Sequence, residues 1–247
     1  MAHNARIFLK KVYFFITILK LYAQICYIMV MKGIFNGVEL YYEVHGEGEP
    51  FILLHGNGED HTIFNVLIND LKKDYKVYAI DSRLHGQSGK GELSYSFMAE
   101  DVKCFIEDLN LTKPIVYGFS DGGIIGLVLL SKYPNLVSTL ISSGANVRPD
   151  GLKWYVRAFF RVQHFFKPSP FLRLMLEEPN LTKEDLSKIT ANVLLIAGSN
   201  DMVPYKHSEY IARNIPNATF KILKGENHGS YVINSKKLYP IIKSYLS

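Results

Sequence analysis

Apolar and polar positions fall into alternating blocks along the chain. Short apolar runs occur at Val38–Val44, Phe51–Leu54, Lys76–Ile80, Pro114–Tyr117, Val137–Ser142, Asn192–Ala197 and Thr219–Leu223, most of them bounded by Gly, Pro, Asn or Asp. Near-continuous apolar runs of this length suit strands of a sheet covered on both faces. Between them the period changes. Val102, Phe105, Ile106 and Leu109 repeat at i, i+3, i+4 and i+7 and make one helical face. Similar stretches follow Ser120, Pro204 and Asn234. Alternation of strand and helix predicts an α/β fold, a doubly wound and mostly parallel sheet of about eight strands. Asn36-Gly37 is a tight hairpin turn that opens this domain, expected over residues 32–247.

One connection is too long for the pattern. Residues 145–190 carry no convincing strand, and Trp154, Tyr155, Phe159, Phe160, Phe165, Phe166 and Phe171 crowd the first half. They are interleaved with Lys153, Arg157, Arg161, Lys167 and Arg173. A long insertion with its own helical spacing, after the sixth strand, is expected to be a helical lid at the sheet's carboxyl end, where ligands bind. Trp154 and Phe159 are the side chains expected to reach substrate.

The first 31 residues stand apart. Val12–Met31 is apolar except for Thr17, Lys20 and Gln24, long enough to span a bilayer. One reading is an extension upstream of a true start at Met31, which leaves a cytoplasmic domain. A second is a membrane anchor over residues 12–31, with Arg6, Lys10 and Lys11 holding the N-terminus inside. A third is a helix packed on the domain.

Charge and composition narrow the classes. The net charge is +5, yet Arg6, Lys10, Lys11 and Lys20 lie in the first 31 residues with no acid, and the rest is nearly balanced. A basic face for nucleic acid is therefore not expected on the domain. With 48% apolar and 21% charged residues the chain is globular, and its 247 residues suit one domain with an insertion. Cys26 and Cys104 are too few for a disulfide framework, and no Cys/His cluster has zinc spacing.

Chemistry concentrates in three places. Gly118-Phe119-Ser120-Asp121-Gly122-Gly123 follows an apolar strand and precedes the helical run Ile124–Leu130. A strand–turn–helix GxSxG needs small neighbours so that the serine can take a strained backbone with its hydroxyl exposed. Asp201 and His228 each fall just past a later strand, in the chain order Ser120…Asp201…His228. His55-Gly56-Asn57-Gly58 follows the strand Phe51–Leu54, so the N–H groups of Asn57 and Asp121 are candidates for an oxyanion hole. His55, in a tight turn before glycine, is expected to be structural.

With these residues in place, residues 32–247 resemble the α/β-hydrolase superfamily in its lidded, esterase-like branch. Asp81-Ser82-Arg83-Leu84-His85-Gly86-Gln87-Ser88 resembles the family's D-x-R-G-x-G-x-S loop, with Leu84 where glycine is usual. The elbow is also similar to those of valacyclovirase-like hydrolases of amino-acid esters. The resemblance implies a serine hydrolase of small carboxylic esters, with Ser120 as nucleophile, His228 as base and Asp201 orienting the imidazole. No metal or organic cofactor is expected, and the partner is a small-molecule ester. The same triad leaves open carbon–carbon bond or enol-lactone hydrolysis and aminopeptidase-like cleavage. A non-catalytic ligand receptor is the remaining reading. Asp121, an acid beside an oxyanion hole, is expected either to sit quietly in a helix's first turn or to meet a cationic amine on the acyl group.

Overall fold

The computed structural model describes residues 28–247. Eight strands, β1 (Ile28–Phe35), β2 (Val38–His45), β3 (Glu49–Leu54), β4 (Tyr75–Ile80), β5 (Ile115–Phe119), β6 (Thr139–Ser143), β7 (Asn192–Gly198) and β8 (Ala218–Leu223), form one sheet. Their order is β1-β2-β4-β3-β5-β6-β7-β8. β1 pairs antiparallel with β2 and β2 antiparallel with β4, while β3 to β8 run parallel.

Two cores lie on opposite sides of this sheet, as the period of two along a strand requires. Ile52 and Leu54 of β3 face a core shared with α2 (Tyr95–Asp108) and α3 (Asp121–Lys132). Phe51 and Leu53 face the other, closed by α1 (Asn65–Leu71) and α8 (Leu238–Leu246). The expected face Val102, Phe105, Ile106 lies buried on α2, which is capped by Ser94, whose hydroxyl accepts the Phe97 N–H. Because both faces are covered, the central strands carry no polar alternation.

Between β6 and β7 the chain inserts α4 (Trp154–Phe166), α5 (Pro170–Glu177) and α6 (Lys183–Ser187); α7 (Tyr205–Asn214) follows β7. The insertion leaves the carboxyl end of β6, next to β5 in the sheet.

The sheet starts earlier than the sequence suggests. β1 takes up Ile28–Met31, which the apolar pattern assigns to the leader, and pairs them with His45, Val44, Glu43 and Tyr42. Asn36 (φ 48°) and Gly37 (φ 76°) make the turn that fixes this register. A continuous apolar run reads alike as buried helix or strand, so its end could not be divided by pattern alone. The remainder of the apolar stretch, residues 12–27, lies outside the described residues. Among those described, no helix is long and apolar enough to cross a membrane.

Candidate active site

Ser120 sits where β5 turns into α3, with φ 52° and ψ −112°. A non-glycine residue held there costs about 1–3 kcal/mol, so its surroundings must fix it. They do so at several points. The Ser120 N–H donates to the Ser143 carbonyl at 2.7 Å, and its own carbonyl accepts the Ile124 N–H at 3.0 Å. Gly118 and Gly122 allow the backbones to meet: a Cβ on Gly122 would lie 2.0 Å from the Leu54 carbonyl oxygen.

β7 and β8 deliver the other two groups to the same edge. His228 Nε2 lies 3.0 Å from Ser120 Oγ, and His228 Nδ1 lies 2.6 Å from Asp201 Oδ1. Asp201 is buried, and the same oxygen also accepts the Val203 N–H at 3.0 Å. A carboxylate accepts only, so Nδ1 carries the proton and Nε2 presents a lone pair to the Ser120 hydroxyl. The three expected side chains thus form one hydrogen-bonded chain.

They open on a cavity of about 330 Å³ lined by Gly56, Asn57, Glu59 and Gly229 together with Ser120 and His228. Its apolar walls are Phe119, Phe160, Met175, Met202 and Ile233. Asn57 stands at the carboxyl end of β3, beside β5. Among the described residues, the backbone N–H groups of Asn57 and Asp121 have no hydrogen-bond partner.

One expectation needs correction. Trp154 and Phe159 do not line the cavity; Phe160 does, because α4 turns Val156, Phe160 and His164 toward the domain and Trp154 and Phe159 to solvent. Aromatic density marked the right helix but not its phase. Of the two readings of Asp121, the one with a substrate amine fails, since its carboxylate does not face the cavity. It is buried, accepting the Tyr95 hydroxyl at 2.8 Å and Asn57 Nδ2 at 2.9 Å. Burial pushes its pKa up, and the Asn57 and Tyr95 hydrogen bonds pull partly back. An amine on a substrate does not meet this group directly. The acid that does line the cavity is Glu59, which no sequence motif marks. Its Oε2 accepts the Gly56 N–H at 3.0 Å, and burial raises its pKa.

His55 is structural, as expected. It is buried, its Nδ1–H donates to the Gly56 carbonyl at 2.8 Å, and its Nε2 accepts the Ser82 N–H at 3.0 Å. Burial and neighbouring His85 lower its pKa to about 4. Leu84 holds φ 64°, a left-handed conformation that explains the usual glycine there. Asp60, His61 and Asp81 bring three potential metal-ligand atoms within 4.8 Å of one another. Three of their four carboxylate oxygens are already engaged: Asp81 accepts the His61 N–H and Nδ1–H and the Gln87 N–H, and Asp60 Oδ1 accepts the Thr62 N–H. This cluster ties the Asp81–Ser88 loop to α1's leading turn.

Comparison with known proteins agrees with the geometry. A family described as the alpha/beta hydrolase fold matches residues 49–168. The chain is 27% identical over 255 residues to the AB hydrolase superfamily protein YisY of Bacillus subtilis, covering 84% of this chain and 95% of that one. It is 24% identical to human serine hydrolase BPHL, over 85% and 84% of the two chains. Among solved structures, an esterase (EaEST) from Exiguobacterium antarcticum superposes with a TM-score of 0.75 at 24% identity, covering 88% of this chain and 99% of that one. With its sheet order, its strained serine turn and these likenesses, the chain has the α/β-hydrolase fold.

Proposed function

We propose that this protein is a serine hydrolase of small carboxylic esters, acting through an acyl-enzyme on Ser120. The observation that carries the reading is the hydrogen-bonded chain Ser120–His228–Asp201 opening on a cavity with mostly apolar walls. His228 Nε2 takes the Ser120 proton as Oγ attacks the carbonyl carbon, and later returns it to the leaving alcohol. Asp201 stabilises the imidazolium and keeps Nδ1 protonated. The free N–H groups of Asn57 and Asp121 receive the developing oxyanion, assisted by the positive end of α3. Water then repeats the sequence on the acyl-enzyme.

The buried Asp121 carboxylate has a second consequence. By accepting Asn57 Nδ2 it fixes the side chain of the residue whose backbone N–H serves the oxyanion. The helical insertion contributes Phe160 and Met175 to the cavity and serves as a lid. The names of BPHL, a serine hydrolase, and EaEST, an esterase, support the same chemistry. A series of p-nitrophenyl esters of increasing acyl length tests the substrate class. A cavity of about 330 Å³ predicts that kcat/KM peaks at short acyl chains and falls for long ones. Cleavage of carbon–carbon or amide substrates with no ester turnover would overturn the ester reading while leaving the triad in place.

A further inference from the structure

The helix that covers the cavity is amphipathic in an unusual sense: its apolar stripe points away from the protein. Plotted at 100° per residue, Trp154, Tyr155, Ala158, Phe159, Val162, Phe165 and Phe166 occupy roughly 140° of the circumference. No residue of α4 is buried, and Trp154, Phe165 and Phe166 are 77%, 81% and 79% exposed. Isolated exposed apolar side chains are ordinary, but a contiguous set on one helix marks a contact surface.

Charge says what the surface fits. From Gly151 to Leu176 the chain has no acid and five cations, Lys153, Arg157, Arg161, Lys167 and Arg173. Among the described residues only Arg173 has a carboxylate within 4.0 Å, that of Glu177. A second copy of the chain docking face to face would set these cations against one another. The chain's first 27 residues, with Arg6, Lys10, Lys11 and Lys20 and no acid, would repel it in the same way. An aromatic stripe flanked by unpaired cations matches an anionic bilayer, where rings enter the interface and cations meet headgroups.

We infer that the outward face of α4 docks on anionic lipid. Since Phe160 of the same helix lines the cavity, docking brings the site beside the membrane, independently of any anchor in residues 12–27.

Trp154 is the single tryptophan of the chain and lies in the stripe, so it reports the contact directly. The full chain is titrated with vesicles of phosphatidylcholine alone or mixed with phosphatidylglycerol, following Trp154 emission and co-sedimentation. With the anionic vesicles, emission shifts to the blue and protein co-sediments; with phosphatidylcholine alone, binding is about tenfold weaker or more. Phe165→Ser with Phe166→Ser removes the shift, and Arg161→Glu weakens binding several-fold. All three substitutions lie outside the cavity, so hydrolysis of a soluble ester, unchanged in them, verifies that they fold. No shift with either vesicle, equal binding to both, or binding untouched by these substitutions overturns the proposal. So does concentration-dependent dimerisation that Phe165→Ser abolishes without any vesicle binding.

Discussion

Gly118 and Gly122 face each other across the turn that carries Ser120: a Cβ on Gly118 would lie 2.2 Å from the Gly122 carbonyl oxygen. A Cβ on Gly122 would meet the Leu54 carbonyl at 2.0 Å. Both neighbours are backbone and cannot rotate away. Gly118→Ala or Gly122→Ala must move β3, β5 or α3 and tilt the serine with them. The expected loss is about 1–3 kcal/mol or more in stability, together with a kcat lowered beyond what the stability loss explains. Urea unfolding and ester hydrolysis on the same variants check this; full activity in either would mean that the serine turn tolerates rearrangement.

Asp201 accepts the His228 Nδ1–H at 2.6 Å. Asp201→Asn can present an amide N–H to Nδ1 instead, favouring the tautomer with its proton on Nε2, which cannot accept from Ser120. The expected cost in kcat is roughly 10⁴-fold with KM little changed. A loss confined to KM would assign Asp201 to substrate binding.

Two histidines, the buried His55 and the half-buried His207, set an acid limit on stability. His55 Nε2 accepts the Ser82 N–H at 3.0 Å and His207 Nε2 the Val147 N–H at 3.1 Å, so protonation costs each its acceptor. Burial, aided by His85 for one and Arg148 for the other, lowers both from 6.5 to about 4. With the folded pKa depressed, the unfolded chain binds the proton first. Their stabilising contribution is therefore complete above pH 6.5 and is lost progressively as the pH falls toward 4. Urea midpoints measured across that window should fall for the wild type and fall less steeply for His55→Gln. Parallel slopes would place the acid sensitivity elsewhere.

At the sheet edge, Phe35 anchors β1: it is buried, with its ring 5.0 Å from that of Phe105. Phe35→Ala should cost about 3–5 kcal/mol. A chain starting at Met31 keeps Phe35 and the pairs from Met31↔Tyr42 onward, so it should fold and hydrolyse esters, with a lower Tm from the lost Ile28–Val30 pairs. An insoluble product would show that the first part of β1 is indispensable.

The parts legible in sequence were those written in local pattern. Apolar runs announced β2 to β8, and a serine between glycines at a strand–helix junction announced the turn. Asp201 and His228 could be found because each follows a strand whose carboxyl end had to reach the same edge. What could not be read depends on phase or on distant partners. Phe159 and Phe160 are adjacent and equally apolar, and only the docking of α4 decides which faces the cavity. Asp121 meets Tyr95 and Asn57, residues 26 and 64 positions away, and no local signal announces that its carboxylate is already satisfied. Glu59 and Met175 carry no motif at all.

The central claim is that Ser120 is the nucleophile, activated by His228. A fluorophosphonate probe, with the adduct mapped by mass spectrometry, tests it most directly. The wild-type chain should carry one adduct, on Ser120, and lose ester hydrolysis in step with labelling. Ser120→Ala should neither label nor turn over, and His228→Ala should label very slowly, each losing roughly 10⁴–10⁶-fold in kcat while remaining folded. An adduct on another residue, or equal ester hydrolysis by wild type and Ser120→Ala, would contradict it.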